Sequence, residues 1–493
     1  MPAEPSAPSP AVALKVPQAP NTPARLGLGL LVALVVGSVL GSGIFGLPQN
    51  MARGAGAGAV LIAWCISGFG MLMLALTYQM LALRQPLLNN GVFAYARALS
   101  GDYVGFNSAW GYWVSAWIGN VGYLVAAFSA LGYFFPAFGD GNTPAATVGA
   151  SVVLWLVHFM VLRGIKGAAV LNGMVTVAKV VPLLVFIAVL VVAFQASTFS
   201  LDFWGNAALP PVLEQVKSTM LVTVWVFIGI EGASVYSSRA KRRADVGRAT
   251  VIGYGICLAL LMAVSLLSMG VLSQPQLAGL KNPSMAPVLE QVVGHWGAVL
   301  VYVGLILSVG GGLLAWTLLA AESLFSPANE GVMPRWLTRQ NPHGVPANAL
   351  WLTNGMVQVF LLITLFSNAS YLALISLSTA MILLPYLWSA AFALRTAWRG
   401  EGSLPAGSSQ HRAADLPVAA LACVYCVWLL YAAGLQYVLL SAVLYAPGAA
   451  LYYGARRGLT KPAFTSAEKI ALAALVLLAV VAVAMLGNGS LAL

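Results

Sequence analysis

Gly41-Ser42-Gly43-Ile44-Phe45 interrupts a run, Leu26 to Leu40, that is almost wholly apolar. Two glycines around a serine are poor material for a continuous helix, each costing about 1 kcal/mol relative to alanine in a helix interior. A membrane span broken at mid-depth frees backbone N–H and C=O groups that lipid cannot satisfy. Such a break persists only where a cavity, an ion or a substrate takes them up. Trp225-Val226-Phe227-Ile228-Gly229-Ile230-Glu231-Gly232-Ala233-Ser234 repeats the device with an acid between the glycines. A carboxylate at that depth costs about 2.5–3.5 kcal/mol on insertion scales, which makes Glu231 a functional candidate. Lys179, in Thr176-Val177-Ala178-Lys179-Val180-Val181-Pro182, is an intramembrane cation that needs carbonyls or an acid beside it. Together these groups could hold something small, polar and charged inside a membrane transporter.

The elements that must position them follow from composition. Of 493 residues, 60% are hydrophobic and 8% charged, against about 25% charged in soluble domains. The chain reads as an all-α polytopic membrane protein. A transmembrane barrel would show short alternating segments instead of long apolar runs. About thirteen stretches meet the length of a span. The two breaks fall in the first and sixth, roughly 27–50 and 215–236, and Lys179 falls in the fifth, roughly 169–194. Interrupted spans at matching positions of two halves mark inverted-repeat transporters, with the substrate at the repeat interface.

The formal charge of +11 is a topology signal and not a nucleic-acid footprint, because the basic residues sit in short connections. With the N-terminus inside, all of the 24 Lys and Arg residues but Arg53, Lys217, Lys281 and Lys179 fall in cytoplasmic segments. Arg239, Lys241, Arg242 and Arg243 read as a stop signal after the sixth span. Residues 1–25, rich in Pro, Ala and Ser, read as a disordered cytoplasmic tail. The cysteines Cys65, Cys257, Cys423 and Cys426 all lie in apolar segments and read as small buried residues. His158 reads as a packing histidine and Glu322 as a structural residue ending the eighth span.

Gly41 to Asn50 resembles the helix 1 motif of the amino acid–polyamine–organocation superfamily. Its Leu47-Pro48-Gln49-Asn50 continuation is similar to the basic amino acid/polyamine antiporters, most closely the arginine/ornithine antiporters. Trp225 to Ser234 resembles the family's helix 6. Trp117-Ile118-Gly119-Asn120 with Gly132 to Pro136 resembles helix 3, and Leu384-Pro385-Tyr386-Leu387 helix 10. The resemblance implies a leucine-transporter-like fold of two inverted five-helix repeats, about 26–195 and 213–400. These make a core at 26–400, with peripheral helices at 401–493. It also implies alternating access.

By that resemblance a substrate α-carboxylate meets the free amides of Ser42, Gly43 and Ile44, aided by the positive end of the helix dipole. Its ammonium meets carbonyls near Val39, Ile228 and Ile230. A cationic side chain stacks on Trp225 and Trp316, an interaction worth about 0.5–2 kcal/mol. Asn120 and Ser378 touch its distal end. Glu231, Tyr112 and Tyr386 form a cytoplasmic-side gate, in which Glu231 could also sense protons. Lys179 stands where relatives bind sodium, linking helix 5 to helices 1 and 8, so no sodium dependence is expected.

The expected function is exchange of cationic amino acids across the inner membrane, arginine for ornithine. The alternative is a proton-coupled importer, or an exchanger of lysine or polyamines, on the same fold. An enzyme needs a nucleophile, a metal cluster or a paired acid and base, and none is legible. No cofactor, metal or nucleic-acid partner is expected. Arginine, ornithine and other basic amino acids are the expected small-molecule partners, with membrane lipid around the chain and a homodimer as a candidate assembly.

Overall fold

The computed structural model describes residues 27–88, 91–164, 168–231, 243–367, 370–402, 412–457 and 462–491, and among these it is entirely helical. The expected tail at 1–25, the second glycine of the sixth-span motif with Ala233 and Ser234, and the basic run at Arg239, Lys241 and Arg242 lie outside the described residues.

The spans are numbered in chain order. α1 is Leu28–Val39, resuming after a break as Ser42–Ala52. Then come α2 (Ala57–Arg84), α3 (Asp102–Phe134), α4 (Pro144–Leu162), α5 (Ala168–Ala193) and α6 (Val212–Trp225). They are followed by α7 (Arg243–Met269), α8 (His295–Asn329), α9 (Ala347–Ser367) and α10 (Tyr371–Arg399). A single 45-residue helix, Arg412–Arg456, contains Gly434 at φ 75°, a left-handed value that breaks it into arms 412–433 and 435–456, here α11 and α12. Unbroken, it would run about 67 Å, roughly twice the hydrocarbon thickness. α13 is Ser466–Gly487. Among the described residues, nine helices are individually long and apolar enough to cross a membrane, and the two parts of α1 make a further span bent by 48°. With α5, the described arm of α6 and the division at Gly434, every stretch expected to span holds a helix.

Local signals set several boundaries. Thr143 caps α4, accepting from the Ala146 amide, with Pro144 at the first turn. Ser370 caps α10 in the same way, and Gly400 ends it in the left-handed conformation. Thr465 and Glu468 form a reciprocal capping box before α13.

α3 is the axle of the bundle. Of its central window 89% is buried, against 6% for α13, which lies at the periphery. Glycines let neighbours approach α3 closely: a Cβ on Gly111 would overlap the Tyr445 hydroxyl of α12. α3 packs on α8 and α10, α1 on α7, and α5 on α8.

We call the face where α1 begins the near face and the opposite one the far face. At the near face the α2–α3 connection folds into a short helix, Gly91–Ser100, that buries Phe93 to Ala96. Span counting passes over it because ten residues cannot cross. The Arg395 guanidinium of α10 donates to the last carbonyls of this helix, Ala98 and Leu99. Arg97 pairs with Asp102 and Glu330, and Arg456 also pairs with Asp102. Those pairs tie α3, α8 and α12 together. Two expectations are corrected here. α8 continues past Glu322 to Asn329, so that acid is interior to the helix. Cys65 is exposed on α2 and Cys423 is only half-buried, whereas Cys257 and Cys426 are buried. His158 is buried as expected, its Nδ1 3.0 Å from the Asn354 amide and its ring against Trp351.

Candidate functional site

α1 ends at Val39, and the chain turns through Leu40 and Gly41 before a 3-10 turn, Ser42–Gly46, leads into the outer half. The break therefore falls at the front edge of the glycine–serine motif, and the motif itself forms the tightened turn beyond it. The amides of Ser42 and Gly43 open that turn without helical partners. Gly43 allows contact with α6, since a Cβ there would lie 2.6 Å from Trp225 Nε1. Beyond the break the outer half is held by polar contacts to the α7–α8 connection. Asn282 Nδ2 donates to Gln49 Oε1 and Asn50 Oδ1 at 2.9 and 2.8 Å, and the Gln49 amide donates to Ser284 Oγ.

α6 stops at Trp225 for a related reason. Residues Val226 to Glu231 continue as turns, and Gly229 sits at φ +107°, which only glycine adopts readily. The Gly229 amide, freed from a helical bond, donates to Glu231 Oε2 at 3.1 Å. The same carboxylate accepts from the Tyr112 hydroxyl of α3 at 2.8 Å and the Tyr386 hydroxyl of α10 at 2.9 Å. Three elements are thus joined on the near-face side of the break. Tyr78 packs edge-on against Tyr386 and extends this aromatic layer toward the near face.

Between the two breaks lies a small cavity of about 20 Å³, room for roughly one water. Ser38, Val39, Gly41 and Gly43 of α1 and Trp225, Val226 and Ile228 of the α6 break line one side. Ser115, Ala116, Gly119 and Tyr123 of α3, with Trp316 of α8, line the other. Trp225 and Tyr123 meet edge to face at 6.1 Å on the far side, and Trp316 and Tyr112 are 6.4 Å apart on the near side. An aromatic pair therefore flanks the cavity above and below.

Of the residues singled out from sequence, Gly43, Trp225, Ile228 and Trp316 line this cavity. Ser42 and Ile44 are buried on the turn beside it. Ser378 lies behind the α3 wall, donating to the Ser115 carbonyl at 2.7 Å. Asn120 is also behind the wall, its amide 3.4 Å from Thr317 Oγ1 and its Oδ1 buried without a partner. Helical periodicity explains this: Tyr112, Ser115, Gly119 and Tyr123 form one stripe of α3, and Asn120 is rotated about 100° from Gly119. Tyr123 was missed, although that stripe points to it. Lys179 stands on the other side of α1, where its ammonium donates to the Gly37 carbonyl at 2.6 Å. That contact links α5 to α1 as expected, and α5 also packs on α8. Among the described residues there is no cluster of three or more His, Cys, Asp or Glu able to hold a metal.

Comparison with known proteins decides the family: residues 26–453 match the amino acid permease family throughout. This chain belongs to that family. The permease is 56% identical over 477 residues to an arginine/ornithine antiporter of Pseudomonas aeruginosa, covering 95% of this chain and 98% of that one. It is 42% identical to an L-lysine transport protein of Corynebacterium glutamicum, covering 96% and 97%. It is 41% identical to an arginine/agmatine antiporter of Chlamydia pneumoniae, covering 94% and 97%. The permease is accordingly a multi-pass membrane protein of the amino acid–polyamine–organocation type, and these relatives are transporters.

Proposed function

We propose that this permease exchanges arginine for ornithine across the inner membrane by alternating access. Its near face would be cytoplasmic, and residues 26–400 would form a core of two inverted repeats. The observation that carries the reading is the pair of broken spans facing one another across a tryptophan-walled cavity, in a chain 56% identical to a protein named for this exchange. In this reading the α-carboxylate meets Ser42, Gly43 and Ile44, and the ammonium meets carbonyls at Val39, Ile228 and Ile230. The cationic side chain lies between Trp225 and Trp316, with Ser378 and Asn120 supporting the α3 wall from behind. Glu231, Tyr112 and Tyr386 gate the near side. Lys179 fixes the inner half of α1 with its own charge, so sodium has no role.

Arginine and ornithine each carry one net positive charge, so their exchange is electroneutral and needs no coupling ion. Protein in liposomes loaded with ornithine should take up labelled arginine, and empty liposomes should not. Uptake should be the same in sodium and choline media. Equal uptake with and without internal ornithine would reject obligate exchange. A second reading is a proton-coupled importer on the same fold, and the relative named for L-lysine transport bears on it only through the substrate. That reading would require uptake into empty liposomes driven by an imposed pH gradient.

A further inference from the structure

Leu47-Pro48-Gln49-Asn50, the motif that continues from the α1 break, has no part in the exchange reading. Gln49 and Asn50 are buried, at 8% and 3% exposed, and both face the α7–α8 connection. Five hydrogen bonds join that connection to the outer half of α1. Gln274 Nε2 donates to the Ala52 carbonyl at 2.7 Å, and Gln49 Nε2 to the Ala278 carbonyl at 3.3 Å. Asn282 Nδ2 donates to Gln49 Oε1 and Asn50 Oδ1, and the Gln49 amide to Ser284 Oγ, a fully buried residue. Gly46 lets the Asn282 side chain reach the backbone, since a Cβ there would lie 2.8 Å from its Oδ1. The short helix Gln274–Ala278 and α7 also pack on this half of α1.

Among the described residues, the connection's hold on α3 is lighter. Ser129 Oγ of α3 donates to the Asn282 carbonyl at 2.6 Å. Lys281 pairs with Asp140, in the turn after α3, at 2.9 Å, and these side chains are 79% and 55% exposed. Water replaces each partner when such a pair separates, so it adds little. Parting the connection from α1 is a different matter. It would strip the Gln49 and Asn50 carboxamides and the Ser284 hydroxyl of their partners, and a buried polar group left unpaired costs more than its bond contributed. Beyond Ser284 the chain belongs with α3 and α8: helix Met285–Val293 packs on α8, and its Glu290 accepts from the Tyr133 hydroxyl of α3 at 2.7 Å. An opening on the far side therefore separates the connection from α3 before it separates the connection from α1.

We propose that residues 42–52 and 274–284 move as one body, jointed through Gln49, Asn50 and Asn282, and that the far side opens along the seam at Ser129 and Asp140. The turn Ser42–Gly46 is continuous with Leu47–Ala52, so the connection carries the α1 wall of the cavity with it. The proposal rests on the alternating-access part of the exchange reading and not on which amino acid is carried.

The test places reducible links in the full-length protein, in a cysteine-free background, with a bifunctional thiosulfonate reagent. Gln49→Cys/Ser284→Cys puts a link inside the body, and Asp140→Cys/Lys281→Cys puts one across the seam. Each protein in ornithine-loaded liposomes is assayed for labelled arginine uptake before linking, after linking and after reduction. Each is thus its own control for damage done by the substitutions. Ala52→Cys/Gln274→Cys is a second pair inside the body, used if the first loses uptake before linking. The seam link should cut uptake by at least about tenfold, with recovery on reduction, because a lid that cannot open stops the cycle. The link inside the body should leave uptake within about twofold of its unlinked value. Uptake stopped by the link inside the body would mean that the two segments slide past one another. Uptake that survives the seam link would mean that the far side opens elsewhere, and either result overturns the proposal. If the unlinked parent carries lysine in place of arginine, the substrate assignment fails by itself, and the same links are read with labelled lysine.

Discussion

Gly43 and Gly229 both serve the breaks, and the structure separates their jobs. At Gly229 the backbone itself demands glycine: φ is +107°, and a Cβ would stand 2.9 Å from the Ser38 carbonyl oxygen of α1. Neither the dihedral nor a main-chain oxygen yields cheaply, so Gly229→Ala should cost about 1–3 kcal/mol of stability. At Gly43 the obstacle is the Trp225 indole, a side chain that can swing. Gly43→Ala should leave thermal stability close to wild type and raise the half-saturation for arginine by roughly tenfold, since 1.4 kcal/mol is a factor of ten. Melting curves in detergent, set beside transport assays, distinguish the two. Equal loss of stability in both variants would refute the division. The glycines were legible in the sequence because a helix break is a local backbone demand. Tyr123 was only half legible, through its position on the α3 stripe. Asn120 shows the reverse error: a motif position suggested contact with the cavity, and helical rotation places it one layer behind.

At the scale of elements, the spans and their order were legible from apolar length, but their partnerships were not. Arg84 ends α2 and Asp415 lies in the first turn of α11, both favourable places for their charges against the helix dipoles. In sequence they look like ordinary residues of connections. In the structure they form an ion pair with side chains 1% and 3% exposed, which joins α2 to α11. Breaking such a pair leaves an uncompensated buried charge and costs about 3–5 kcal/mol, whereas replacing both partners by apolar residues is often neutral. Asp415→Ala should therefore lower thermal stability more than the double variant Arg84→Met/Asp415→Leu. If the double variant is the less stable of the two, the pair is not the link between α2 and α11.

For the whole molecule, the governing feature is a small cavity flanked by aromatic side chains toward both faces. At about 20 Å³ it holds a water and not an amino acid, so every transport cycle must part its walls, one side at a time. On the near side the proposed gate is one carboxylate, Glu231, held by Tyr112, Tyr386 and the Gly229 amide. On the far side the flanking groups are several: the Tyr123–Trp225 pair and the polar contacts of Gln49 and Asn50 with Asn282. Removing the Glu231 side chain should therefore release the near side and leave the far side shut. Glu231→Ala in a cysteine-free background carrying Ser38→Cys, a position that lines the cavity, puts this to a direct measurement. An impermeant thiol reagent should label the cysteine at least tenfold faster from the near face than in the parent with Glu231 intact. Labelling from the far face should not rise. Faster labelling from both faces would mean a leak through the bundle and would exclude a one-sided gate. An unchanged rate from the near face would mean that the aromatic pair of Trp316 and Tyr112, and not the carboxylate, holds that side closed.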